Sequence, residues 1–252
     1  MKKQKTVSIK AKLLGVIIPV VIAIVVVLVV AAYQISAGTI KKYSQNLLQS
    51  SVENQASQIE AWLNENLASF QMAKTIIEDL KPSDEELKTI LDGYYGYNSN
   101  YPEGLYVADS TGQLITASES TKKESDVTNS TWYKEGLTRV NMAVGSAYQN
   151  ADGVNVISAS GILNDGSDKV RVISADMTLD RIAIIVNSFI EMNDAEAFLV
   201  DKTSGVILAN RDSSLISQTL GAEGQSHFYQ LTAEKAAEKD YNFATLDGCL
   251  LY

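Results

Sequence analysis

Cysteine and histidine are almost missing from this chain. Among 252 residues there is one of each, Cys249 and His227. A lone cysteine excludes an internal disulfide and any multi-cysteine metal site. A lone histidine leaves little for histidine-based acid–base chemistry, and beside Ser226 it reads as a helix-start residue. The chain also lacks G-x-S-x-G, H-E-x-x-H and a phosphate-binding glycine loop. No enzymatic activity is expected and no cofactor is implied. Asp109, Asp201 and Asp212 flank turns and would bind calcium only by converging.

Positive charge is scarce after the first turn of sequence. Lys2, Lys3, Lys5, Lys10 and Lys12 stand in the first 12 residues without an acid, leaving 16 basic and 30 acidic groups for the rest. Such a surface repels phosphates, which excludes nucleic acid as a partner. Proline is scarce too, with none between Pro19 and Pro82.

What is present is a long apolar run. Leu13 to Tyr33 holds 21 residues without a charge, and the next charge is Lys41. As a helix this segment is about 31 Å long, close to the hydrocarbon thickness of a bilayer. The run exceeds the apolar core of a signal peptide, so an uncleaved transmembrane anchor is expected. The five lysines put residues 1–12 in the cytoplasm and the bulk of the chain outside the plasma membrane.

From 34 to 80, Ile40, Tyr43, Leu47, Ile59, Leu63, Leu67, Phe70 and Ile77 recur at steps of three and four, predicting one long stalk helix. Ser83 followed by Glu86 is a capping box for a second helix. Then the pattern changes to strands and turns. Gly104–Ile115 and Ala197–Leu208 both read as strand, turn, strand, and superimpose without gaps at an offset of 93. Trp132-Tyr133 matches Phe228-Tyr229 at an offset of 96, and Asp152-Gly153 matches Asp247-Gly248 at 95. Ordered matches at nearly constant offset imply two copies of one module. Strands are expected near 143–149, 154–162 and 169–176, forming an antiparallel meander. Leu179–Phe189 is a linking helix. The second copy stops inside the strand equivalent to 154–162, so the chain is expected to be a fragment.

The stretches SIKAKLLGVIIPVVIAIVVV, NQASQIEAWLNENL, GLYVADSTGQLIT, STWYKEGL and VISADMTLDRI together resemble the double Cache sensors of bacterial methyl-accepting chemotaxis receptors. The resemblance covers essentially the whole chain. It implies an α/β chain of the α+β type, with two tandem PAS-like modules built on antiparallel sheets. The membrane-distal module (83–178) would hold the small-molecule pocket. A linker (179–190) would lead to an incomplete membrane-proximal module (191–252). The same sensor sits on histidine kinases and diguanylate cyclases, which gives a second reading of the output. A stand-alone tethered binding protein is a third, and the unfinished second sheet argues against it. A homodimer paired through the stalk, and contact with the chemotaxis kinase complex through the full-length protein, are also implied.

In the amino-acid-binding members, an arginine two residues before Trp-Tyr, a later tyrosine and a last-strand aspartate mark the site. Trp132, Tyr133, Tyr148 and Asp176 match that pattern, whereas Ser130 stands in place of the arginine and Ser125 in place of a tyrosine. An aspartate pairs with an ammonium group, and aromatic faces attract cations. Serine cannot bind a carboxylate bidentately as arginine does. The retained residues therefore suit an amine-bearing ligand, with Arg139 and Arg171 as the available substitutes for the lost cation. Asp176 alternates with Val172 and Ser174, so it should share a face with an apolar residue. Without a ligand role, one ring of Trp132-Tyr133 would lie in the core and the other on the surface. Phe228-Tyr229 is expected to serve packing, and Tyr94, Tyr95, Tyr97 and Tyr101 to form a surface aromatic cluster.

Overall fold

The computed structural model describes residues 9–188, 196–202, 204–237, 244–246 and 249–251. The turn at Asp247-Gly248 lies outside them. Contacts divide the chain into two units, residues 1–50 and 51–251. Helix α1 (Ile9–Leu80) contributes to both.

In the first unit, the apolar side chains from Leu13 to Val30 are exposed. This is the one described helix long and apolar enough to cross a membrane. Pro19 lies inside it. A helical proline lacks an N–H and crowds the carbonyl four residues earlier, here Gly15, a defect membrane helices tolerate.

The second unit is built around a five-stranded antiparallel sheet. Its strands are β1 (Leu105–Asp109), β2 (Leu114–Ile115), β3 (Ala143–Gln149), β4 (Asn155–Leu163) and β5 (Arg171–Thr178), in the order β2-β1-β5-β4-β3. Strand alternation sorts the side chains into two faces. Leu105, Val107, Ile157, Ala159, Ile173, Ala175 and Met177 join Phe70, Ala73 and Ile77 of α1, and Leu87 and Leu91 of α2 (Asp84–Asp92), in one core. Tyr106, Ala108 and Val172 point the other way, toward α3 (Thr131–Gly136). Both faces are covered, so β1 and nearly all of β4 and β5 are buried.

α2 begins as its sequence specifies. Glu86 N donates to Ser83 Oγ at 3.4 Å and Ser83 N donates to Glu86 Oε2 at 2.9 Å. Arg171 ties the start of α2 to the sheet through Asp84 and Asp165. The β1–β2 turn closes through Gly112, whose φ of +85° only glycine adopts freely. Asp109 holds that turn: its Oδ1 accepts from Thr111 N at 2.8 Å and Gln113 N at 3.1 Å, and Lys169 pairs with Oδ2. Burial pushes this carboxyl up, but the Lys169 ammonium and the turn donors outweigh it and bring its pKa down to about 2, from 3.8. A depressed carboxyl stabilises fully above its unfolded pKa and loses that contribution as pH falls through the folded value. Asp109→Asn should therefore flatten the loss of stability between about pH 4 and pH 2, read from unfolding midpoints across that window.

After β5, α4 (Asp180–Asn187) sends Ile182, Ile185 and Val186 into the core shared with α1. Leu208 and Ala209 of the second hairpin, β6 (Leu199–Val200) with β7 (Ile207–Ala209), join it. That hairpin turns at Gly205, φ +71°, the counterpart of Gly112. α5 (His227–Ala236) follows, then the antiparallel pair β8 (Ala244–Leu246) and β9 (Cys249–Leu251). Phe228 and Tyr229 pack with Ile207, Leu220 and Phe198. Tyr229 Oη also contacts Asn210 and Glu196, each at 2.9 Å, and burial pushes its pKa up to about 12.

The tyrosines of 94–101 do not form one surface cluster. Tyr101 is buried and meets Phe70 edge-on at 4.8 Å, Tyr94 and Tyr95 lean on the same core, and Tyr97 is exposed. Asp109, Asp201 and Asp212 do not converge either: no metal-holding group of three or more His, Cys, Asp or Glu occurs among the described residues. Asp201 and Asp212 instead hold local turns, accepting from Ser204 N and Ser214 N.

Candidate ligand-binding site

The α3 face of the sheet carries the polar residues. On β5, Ser174 and Asp176 follow Val172 at steps of two, and across the ladder they pair with Ser160 and Ser158 of β4. Tyr106 of β1 stands opposite Ser174. Each is buried. A carboxylate in such a place needs donors, and Asp176 collects four of them. Tyr106 Oη donates to Oδ1, Ser158 Oγ donates to the same oxygen, and Tyr148 Oη lies 3.0 Å from it. Tyr148 Oη also lies 2.9 Å from Ser158 Oγ. The fourth donor is a cation: Lys122 Nζ reaches Oδ2 at 2.7 Å and sits 4.3 Å above the Tyr106 ring.

Burial, with the Asp176 charge nearby, pushes the Tyr106 and Tyr148 phenols well above their usual range, so both remain proton donors to the carboxylate.

Trp132 and Tyr133 are both buried, at 0% and 3% exposure. The arrangement given for the pair without a ligand role, one ring in the core and one on the surface, does not hold. Neighbours on a helix point about 100° apart, and here both directions are filled, by the sheet residues Tyr106, Ala108 and Val172 and by Val127 of the 3-10 turn Val127–Asn129. The Trp132 ring meets Tyr106 edge-on at 4.9 Å and Tyr133 at 5.7 Å. Its Nε1–H donates to Glu124 Oε2 at 2.9 Å. Burial raises the pKa of Glu124, against the opposing pull of the Trp132 N–H and Lys122. Gly136 lets α3 sit this close to the sheet: a Cβ there would lie 2.4 Å from Val172 Cγ1.

Trp132, Tyr148 and Asp176 are thus brought together, with Tyr133 in the same cluster. Ser130 sits at the N-terminus of α3 and its Oγ donates to Val127 O at 2.6 Å, while Ser125 is exposed. Neither arginine replaces the missing cation. Arg171 is an odd-numbered residue of β5, on the opposite face from Asp176, and is spent on Asp84 and Asp165. Arg139 pairs with Glu135 at 3.3 Å and donates to Ala143 O at 3.0 Å. Sequence reasoning missed Tyr106, Lys122 and Glu124. Tyr106 had a signal in strand parity. Lys122 and Glu124 belong to an irregular strap, residues 116–126, in which the alternate side chains of Ser120, Lys122 and Glu124 bind inward.

A groove of about 400 Å³ lies elsewhere, on the α1 side of the sheet. Its Ile59, Leu63, Leu67, Val144 and Leu199 walls are apolar and include no residue of the Asp176 cluster.

A long helix packed on an antiparallel sheet, followed by a second hairpin-and-helix set, is matched by a family model. The Cache domain, of the dCache_1 type, aligns with residues 32–246. The chain belongs to the Cache domain family. No curated protein matches it in sequence. Solved Cache-like folds include the ligand-binding domain of the Pseudomonas fluorescens chemoreceptor CtaA in complex with L-serine. It is 18% identical, with a TM-score of 0.63, over 83% of this chain and 88% of that one. The ligand-binding domain of Mlp24 with asparagine is 16% identical with a TM-score of 0.63, over 81% and 83%. That of the Pseudomonas aeruginosa amino acid chemoreceptor PctC with GABA is 22% identical with a TM-score of 0.57, over 71% and 80%. At these identities the likeness establishes the Cache fold; the Asp176 cluster is a property of this chain's own residues.

Proposed function

We propose that this Cache domain is the extracytoplasmic sensor of a membrane-anchored receptor that binds an ammonium-bearing small molecule, an amine or an amino acid, and signals across the membrane for chemotaxis. The observation that carries the reading is Asp176: a buried carboxylate ringed by hydroxyl donors beside the aromatic rings of Tyr106 and Trp132. With Glu124, the cluster holds two carboxylates against the one ammonium of Lys122, an excess of negative charge suited to a cation. Concave sites with a few convergent polar groups are the usual form of small-molecule pockets. The similar solved domains are complexes with serine, asparagine and GABA, each bearing an amino group. Ser130 in place of arginine leaves the ammonium end of a ligand as the group this site is built to read.

In this reading Trp132, Tyr133, Tyr148 and Asp176 line the pocket, with Ser130 at its edge. The lysine-rich start lies in the cytoplasm, two copies pair through α1, and ligand shifts how the sheet packs on that helix. The ligand biases this equilibrium only by its different affinity for the two packings. Output through the chemotaxis kinase complex, rather than through a kinase or cyclase domain, is part of the same proposal.

The test is calorimetric titration of the full chain in detergent with primary amines, amino acids, dicarboxylates and neutral sugars. At least one ammonium-bearing compound should bind, and Asp176→Asn should weaken it at least tenfold. Binding confined to anions or sugars, or unchanged by Asp176→Asn, would sink the reading.

A further inference from the structure

The partner of Asp176 comes from the chain itself, and its manner of holding is that of a ligand. Lys122 Nζ lies 2.7 Å from Oδ2 of a carboxylate and 4.3 Å over an aromatic face. The two side chains are only 7% and 6% exposed. A primary alkylammonium bound at this carboxylate would use the same oxygen and the same ring. We propose that Lys122 is a tethered occupant of the cation position on Asp176, and that a ligand's ammonium group binds by exchanging with it.

The support is in where Lys122 comes from. Asp176, Ser158, Tyr106 and Tyr148 all stand on strands of the five-stranded sheet, whereas Lys122 stands on the strap, which forms neither helix nor strand. Inward-facing side chains fasten the strap to its surroundings, Ser120 to Glu103, Lys122 to Asp176 and Glu124 to Trp132, and a surface contact joins Ser118 to Asp92. Moving Lys122 away therefore breaks no sheet ladder. Breaking a buried pair by removing one partner is costly because it strands the other charge. Exchange of one ammonium for another avoids that, since Asp176 is never left alone. A buried ion pair also adds little net stability compared with apolar packing, so stability alone does not account for a lysine here.

Exchange has a mechanical consequence. The strap also carries Glu124, which holds Trp132 at the start of α3. A ligand that ejects Lys122 releases one of the strap's fastenings beside the aromatic cluster, coupling occupancy at Asp176 to the position of the strap. The proposal rests on the reading of Asp176 as the ligand's partner, and it makes Lys122 a determinant of specificity. The native site disfavours simple amines, which must compete with a lysine held at high effective concentration.

The test is Lys122→Ala in the full chain in detergent, with unfolding followed by tryptophan fluorescence. The variant should unfold at a lower temperature than the wild type. n-Butylammonium should raise that temperature saturably, with an affinity at least tenfold tighter than for wild type. Tetramethylammonium, which has no N–H to donate, should do nothing at matched ionic strength. If the variant does not fold alone, n-butylammonium during refolding must restore folded protein. Lys122→Ala combined with Asp176→Asn should show no response. A folded Lys122→Ala without a saturable response, a failed rescue, equal affinities in wild type and variant, or a response surviving loss of Asp176 overturns the exchange. An Asp176-dependent ligand for wild type, together with an unresponsive Lys122→Ala, overturns the exchange and leaves the sensor reading standing.

Discussion

Asp176→Ala is expected to destabilise the unit formed by residues 51–251 by about 3–5 kcal/mol and to weaken binding of an ammonium-bearing ligand by roughly 30-fold or more. The two effects have one cause. Asp176 is the acceptor for Tyr106, Tyr148, Ser158 and Lys122 together. Its removal leaves a lysine ammonium that is 7% exposed without its carboxylate, and strips three hydroxyls of a shared partner. Truncating one side of a buried hydrogen-bonded charge pair typically costs about 2–5 kcal/mol in binding, or roughly 30-fold to several-thousand-fold in affinity. Urea unfolding of the full chain measures the first effect and calorimetric titration the second. Adding Lys122→Met to Asp176→Ala should recover part of the stability, because the stranded charge goes, but none of the binding. Unaltered unfolding and unaltered binding in Asp176→Ala would show that the convergence on this carboxylate has no energetic weight.

Trp132→Ala is expected to cost about 3–5 kcal/mol of stability. Trp132 is fully buried, lies against Tyr106 and Tyr133, and spends its N–H on Glu124. Its loss removes the largest side chain between α3 and the sheet and leaves the raised Glu124 carboxyl without its indole donor. Trp132→Phe separates the two contributions. It keeps most of the apolar contact and drops the hydrogen bond, so it should cost clearly less than alanine. If Trp132 is also a pocket wall, Trp132→Phe should shift ligand affinity by more than its stability change alone can explain. Chemical unfolding and titration of both variants read these outcomes. A loss near zero for Trp132→Ala would mean that α3 is not held by this ring.

The family and much of the fold were legible because they rest on local patterns. An uncharged run from Leu13 to Tyr33 reports a bilayer-length helix without any tertiary partner, and Ser83 with Glu86 announces a helix start that the structure contains. Alternation around Val172, Ser174 and Asp176 located the aspartate on one face of its strand, and the sheet keeps that parity. The hairpins before Trp132 and before Phe228 carry their turn glycines at matching positions, Gly112 and Gly205. Each signal lies within a few residues of what it describes.

The chain's single cysteine and single histidine, its scarcity of positive charge after residue 12, its apolar N-terminal run, its two matching hairpin patterns and the face of Asp176 were determined by the sequence alone. What meets that aspartate was decided only by the tertiary structure. Tyr106, Lys122, Tyr148 and Ser158 stand 70, 54, 28 and 18 residues away from it in the chain. Strand parity gives each residue a face, but not which residues share a carboxylate. The same gap explains the two arginines: Arg171 is on the same strand as Asp176 yet on the opposite face, while Lys122, on a strap without regular structure, supplies the cation. Periodicity is a property of one segment, whereas burial of a charge requires partners from several. The fold selects those partners by bringing β1, β3, β4, β5 and the strap to one place.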